Sequence, residues 1–129
     1  MLDATFVKIE TDSGYIGWGE GTPWGHTYVP AHGPGIRAGI ETIASVLMGM
    51  NPRQNERIEY VMDKELPGHP YVKSPIDMAC LDIAGQAASQ SLPDLLGGGY
   101  ETGTRVMSSV SSGPPEYMME IINKYRNMG

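Results

Sequence analysis

The sequence predicts an α+β fold, with an antiparallel hairpin first, a bundle of helices next, and a strand followed by a helix at the end. Three observations carry this. Residues 5–20 alternate apolar and polar side chains on either side of a glycine turn. The stretch 36–87 places apolar residues at helical spacing in three successive segments. The last 25 residues pass from a Val-, Met- and Ser-rich run into an amphipathic pattern.

Residues 5–11, Thr-Phe-Val-Lys-Ile-Glu-Thr, carry the β-branched and aromatic side chains that suit a strand, with Val7 and Ile9 on one side and Lys8 and Glu10 on the other. Asp12-Ser13-Gly14 makes the turn, Gly14 being free to adopt positive φ, and residues 15–20 form the return strand. Residues 21–34 then read as a long loop holding Trp24, Tyr28 and two of the three histidines, His26 and His32. Long loops of this kind in compact domains are commonly functional.

The first helix carries Ile36, Ile40, Ile43 and Leu47 on one face and closes at Gly49 and Pro52. The second carries Ile58, Val61 and Met62 and ends near Leu66-Pro67-Gly68. For the third, Ser74 is expected as N-cap, Pro75 at the first helical position and Asp77 at the third, a short capping box. Ile76, Ala79, Cys80, Ile83, Ala84 and Ala87 then form a narrow stripe of small apolar residues that lets another backbone come close. Residues 92–99 end the bundle in an apolar turn and a glycine run. Residues 105–111 are expected as a strand and the helix opened by Pro114-Pro115 buries Met118, Ile121, Ile122 and Tyr125, with Gly129 as its C′ residue.

Composition narrows the function. The 129 residues and 14.0 kDa suffice for one domain, and 40% hydrophobic content supports a packed core. Nine Lys and Arg against fifteen Asp and Glu give a net charge of −6, with no basic cluster to meet a phosphate backbone, so nucleic acid is not expected as a partner. No apolar stretch is long enough to span a bilayer, and the first residues have neither a basic nor an apolar leader pattern. A single cysteine, Cys80, excludes an internal disulfide and fits a reducing compartment, so a soluble, cytoplasmic chain without membrane partners is expected. The 17 glycines and 10 prolines follow no period and mark turns and caps, not a repeat.

Two elements are expected to lack partners. A lone hairpin is marginal in water, and a β-α unit of parallel type requires a further strand. The resemblance to a known family agrees. The hairpin Val7-Lys8-Ile9-Glu10-Thr11-Asp12-Ser13-Gly14-Tyr15-Ile16-Gly17-Trp18-Gly19-Glu20 resembles that of the mandelate racemase/muconate lactonizing enzyme family of the enolase superfamily. Lys73-Ser74-Pro75-Ile76-Asp77-Met78-Ala79-Cys80-Leu81-Asp82-Ile83-Ala84-Gly85-Gln86 resembles its signature helix, and Leu95-Leu96-Gly97-Gly98 the turn after it. Leu81 departs from the family pattern, in which many members carry Trp.

This resemblance implies a capping domain over residues 1–100, its N-terminal strand missing, and the first strand and helix of a truncated TIM-like barrel over 101–129. It implies a parent isomerase or lyase (racemase, epimerase, cycloisomerase or dehydratase) that binds Mg2+ through three barrel carboxylates and removes the proton next to a substrate carboxylate with Lys-x-Lys and a facing Lys or His. Neither the Lys-x-Lys motif nor the carboxylate trio occurs in these 129 residues. No catalytic residue and no metal ligand is therefore assigned, the fragment is expected to be inactive alone, and no cofactor is expected for it. Residues 66–75, the loop around Trp24 and the run 107–113 are similar to members acting on proline derivatives, the cis-3-hydroxyproline dehydratases and the proline-betaine or hydroxyproline-betaine epimerases.

The candidate substrate-binding residues follow from the resemblance. In the family the loop corresponding to 21–34 closes over the barrel mouth, so Trp24, His26 and Tyr28 are expected to meet a small carboxylate substrate, the aromatics by cation–π attraction. Ser109 and Ser111 are expected at a barrel strand end, the pattern leaving open which alternate side chains face inward. The bland readings are loop packing for the aromatics and hydrogen-bonded or solvated loop histidines for His26, His32 and His69, whose spacing suits no metal site. Asp77 and Asp82, five residues apart on one helix, are read as structural. The alternating and consecutive glycines lack a dinucleotide-site context, and the serines lack a nucleophile elbow. The alternative to an enzyme fragment is a stand-alone binding or assembly module that self-associates through exposed apolar surface.

Overall fold

The structure, a computed structural model, describes residues 2–99 and 107–128. It divides into two units, Met1–Gly98 and Gly99–Gly129. The first holds strands β1 (Thr5–Glu10) and β2 (Ile16–Gly21) and helices α1 (Gly33–Leu47), α2 (Asn55–Glu65), α3 (Pro70–Ala88) and α4 (Leu92–Leu95). The second holds α5 (Pro115–Met128). The α+β class and the capping-domain architecture are as expected.

Strands β1 and β2 pair antiparallel, Val7 opposite Gly19 and Ile9 opposite Gly17. Gly14 turns the chain at φ 89°, and Thr11 closes the turn: its hydroxyl accepts the Tyr15 N–H at 2.9 Å, and its own N–H donates to the Tyr15 carbonyl at 2.9 Å. Thr5, Val7 and Ile9 face the helices, and Phe6, Lys8 and Glu10 face outward. The helices cover that inner face. Ile43, Ile58, Met62, Val72, Ile76 and Cys80 form the core, with Val7, Ile9, Ile40 and Leu47 packed around it.

Helix α3 is the centre of this unit and lies directly against β2. A methyl group on Gly19 would overlap the Pro75 carbonyl, and one on Gly17 would overlap the Ala79 carbonyl and the Ile83 side chain. Glycines at alternate positions of β2 thus let a strand backbone rest on a helix backbone, and the small stripe on α3 meets it halfway. Two backbone groups on the outer edge of β2 are also satisfied by α3. Asp82 Oδ2 accepts the Trp18 N–H at 3.0 Å, and Gln86 Nε2 donates to the Ile16 carbonyl at 2.7 Å and to Asp82 Oδ1 at 3.0 Å.

Three expectations are corrected. Helix α3 begins at Pro70, not Pro75: His69 precedes it in left-handed conformation (φ 51°), and Pro75 lies inside the helix, so Ser74 is no N-cap. Pro70 already occupies the first helical position, and Pro75, in the second turn, leaves the Tyr71 carbonyl without the helical N–H it would otherwise accept. The expected strand over 105–111 falls partly outside the described residues, and its described part, 107–111, has no strand pairing, because a parallel strand forms only against neighbours. Helix α5 buries no residue: Met118, Ile121 and Ile122 are half-buried and Tyr125 is exposed. Among the described residues of its unit only 107–114 precede it, too little to cover a helical face. Gly129 lies outside the described residues.

Candidate functional site

The loop between β2 and α1 is held at both ends and open between them. Pro23 is buried, and its carbonyl accepts the Gly25 N–H at 2.8 Å, with Gly25 at φ 71°. At the far end the Ala31 N–H donates to the Val29 carbonyl at 2.7 Å. These tight turns throw the intervening side chains outward. Trp24 is 70% exposed and Tyr28 75% exposed, their ring centroids 6.1 Å apart and their planes tilted by 47°. His26, on the turn between them, is also exposed.

Burying neither ring against the core is unusual for side chains that normally contribute large apolar area. The tilted pair presents two π faces that can hold an apolar ring or a cation. The sequence-level candidates therefore divide. Trp24, His26 and Tyr28 share one exposed loop, two of them in contact, whereas Ser109 and Ser111 belong to the second unit, exposed in an irregular stretch before α5.

Several other polar residues of the first unit have structural partners. Asp77 accepts from Asn55 Nδ2 at 3.4 Å, and Lys73 pairs with Asp63. Arg37 grips the Asp3 carboxylate with both terminal nitrogens, at 2.9 and 3.1 Å, and reaches the Thr5 hydroxyl at 3.2 Å. The hydrogen bonds from Arg37 hold the Asp3 carboxyl below its ordinary range. Burial, helped by the Asp77 charge, pushes the Cys80 thiol up to about 11. It is a protonated core group, not a nucleophile.

Sequence reasoning missed His32. It is the N-cap of α1, its Nδ1 accepting the Gly35 N–H at 2.8 Å. The available signal was Gly33-Pro34 directly after it, since proline favours the first helical turn.

Among the described residues no three His, Cys, Asp or Glu side chains are grouped so that they could hold a metal ion. None of the described helices is long and apolar enough to cross a membrane. An apolar opening of the first unit, about 600 Å3 beside β1, is lined by residues of the core and its margin such as Val7, Ile40, Leu47 and Ile58, and by none of the three loop candidates.

Comparison with known proteins gives these features a family. The mandelate racemase/muconate lactonizing enzyme N-terminal domain matches residues 3–97. A cis-3-hydroxy-L-proline dehydratase of Roseibium aggregatum is 40% identical over 129 residues, all of this chain and 35% of that protein. An N-succinyl-L-Arg/Lys racemase of Bacillus cereus is 35% identical over 119 residues, covering 92% of this chain and 32% of the relative. A solved enolase-superfamily member from Roseovarius nubinhibens, complexed with magnesium, superimposes with a TM-score of 0.93 at 54% identity, over 99% of this chain and 35% of that one. The chain thus spans about a third of the length of these relatives. From the matched domain, the hairpin and the signature helix together, the chain belongs to the mandelate racemase/muconate lactonizing enzyme family of the enolase superfamily.

Proposed function

We propose that this chain is the N-terminal part of a magnesium-dependent racemase, epimerase or dehydratase that abstracts the proton next to a substrate carboxylate. Residues 1–100 are its capping domain and 101–129 the beginning of its barrel. The supporting observation is the 40% identity to a cis-3-hydroxy-L-proline dehydratase across all 129 residues, which favours a hydroxyproline as substrate; the resemblance of the 23–28 and 66–75 segments adds a proline betaine as a second candidate. The bases and the magnesium ligands are supplied by other parts of the protein, and these 129 residues alone are inactive.

In this reading the chain's own contribution is recognition. The loop at 22–32 closes over the active site, and Trp24 and Tyr28 present their π faces to the ring or the charged nitrogen of the substrate, with His26 beside them. Ser109 and Ser111 line the barrel side. The net charge of −6 argues against a polyanionic partner such as nucleic acid. The outward face of the hairpin, with Phe6, Ile16 and Trp18 exposed, favours self-association.

The test is deuterium incorporation from D2O at the carbon next to the carboxylate, assayed with the full-length protein and magnesium on cis-3-hydroxyproline, proline betaine and hydroxyproline betaine. Exchange or dehydration with at least one of them is expected. Neither exchange nor dehydration with any of the three overturns the substrate class, and turnover by residues 1–129 alone overturns their inactivity.

A further inference from the structure

The exposed loop joins the rest of the unit at His32. Its backbone is extended (φ −148°, ψ 155°), its carbonyl accepts the Ile36 N–H at 3.0 Å, and its Nδ1 accepts the Gly35 N–H at 2.8 Å. A ring nitrogen accepts a hydrogen bond only while it carries no proton, so this cap requires neutral imidazole with its hydrogen on Nε2. A second proton turns Nδ1 into a donor facing another donor. It also places a positive charge at the positive end of the α1 dipole. The usual capping residues, whose oxygens accept at any ordinary pH, are not used here, and α1 has no acidic residue in its first turn.

The charged groups set against this end of α1 are Asp3, whose carboxylate lies against Gly33, and Arg37, which holds that carboxylate. Arg37 keeps Asp3 ionised through the range in which imidazoles titrate, so the pair is a constant background. We propose that His32 is a proton-sensitive hinge: neutral, it caps α1 and fastens the end of the 22–32 loop, and protonated, it releases that end. The loop carrying Trp24 and Tyr28 is then ordered while this imidazole is neutral and loosened once it is protonated. This holds whether or not the loop meets substrate, because it concerns backbone order alone.

Amide hydrogen exchange of the full-length protein tests it, read as protection factors for the Gly35 and Ile36 amides and for those of the loop near neutrality and in mild acid. Wild-type protection is expected to fall roughly three- to tenfold on acidification, the size of a lost N-cap. His32→Asn, whose amide oxygen accepts at either pH, should stay protected at both, and His32→Ala should be poorly protected at both. Equal pH dependence in wild type and His32→Asn overturns the proposal, as does undiminished protection in His32→Ala.

Discussion

The seam between β2 and α3 and the loop between β2 and α1 leave the same strand, yet they use their residues in opposite ways. In the seam the residues are fixed by their neighbours: Gly17 and Gly19 admit helix backbone, and Asp82 and Gln86 satisfy the Trp18 N–H and the Ile16 carbonyl. In the loop, Trp24 and Tyr28 are left almost wholly in solvent. The difference separates residues that build the capping domain from residues it carries. Stability should therefore respond strongly to seam substitutions and hardly at all to loop substitutions.

The largest effect should come from Gly19→Ala and Gly17→Ala, which force a methyl group into the carbonyls of Pro75 and Ala79. Each is expected to cost about 3 kcal/mol, measured by urea denaturation. Gly14→Ala is the control, because it meets no atom and carries only the strain of φ 89°, about 1 kcal/mol. Equal losses at all three positions would show that backbone freedom, not close approach, explains these glycines.

Asp82→Ala should cost roughly 1–2 kcal/mol by leaving the Trp18 N–H without its acceptor, while Asp82→Asn should recover much of that in the same denaturation experiment. Recovery by Asn distinguishes an acceptor at the strand edge from a required charge.

A smaller effect concerns Cys80. Its folded thiol is pushed up to about 11 from an ordinary 9.0, so the unfolded chain loses this proton first as pH rises. The thiol's contribution is complete below pH 9 and is lost between 9 and 11. Comparing wild type with Cys80→Ala across this range should show the steeper alkaline decline in wild type. Thiol reagents at neutral pH should label Cys80 only after denaturation.

Much of this arrangement is legible in the sequence because it rests on local periodicity. The alternation at Thr5–Glu10, the turn at Gly14, the faces of α1 and α2, and the small stripe of α3 each follow from one repeating geometry. The failures come where a residue admits two positions. Pro75 read as a first-turn proline, a role that Pro70 fills, and the strain at His69 has no sequence mark. The apolar pattern of α5 states which face seeks a partner, not whether one is present. At the candidate site, the composition of the loop was readable. The Trp24–Tyr28 contact was not, since it depends on turns at Pro23 and Gly25, and the capping role of His32 was hidden because histidine is not a habitual N-cap.

The smallest stability effect belongs to the loop, and the central claim rests on it. Trp24→Ala and Tyr28→Ala should leave the denaturation midpoint within about 0.5 kcal/mol of wild type, because neither ring is buried. The decisive measurement is kcat/KM of these variants in the full-length protein for proline betaine, hydroxyproline and an acyclic carboxylate. An unequal loss is expected, about tenfold for substrates bearing the ring or the charged nitrogen and little for the acyclic one. An equal loss for all three, or no loss for any, would contradict a recognition role for the loop.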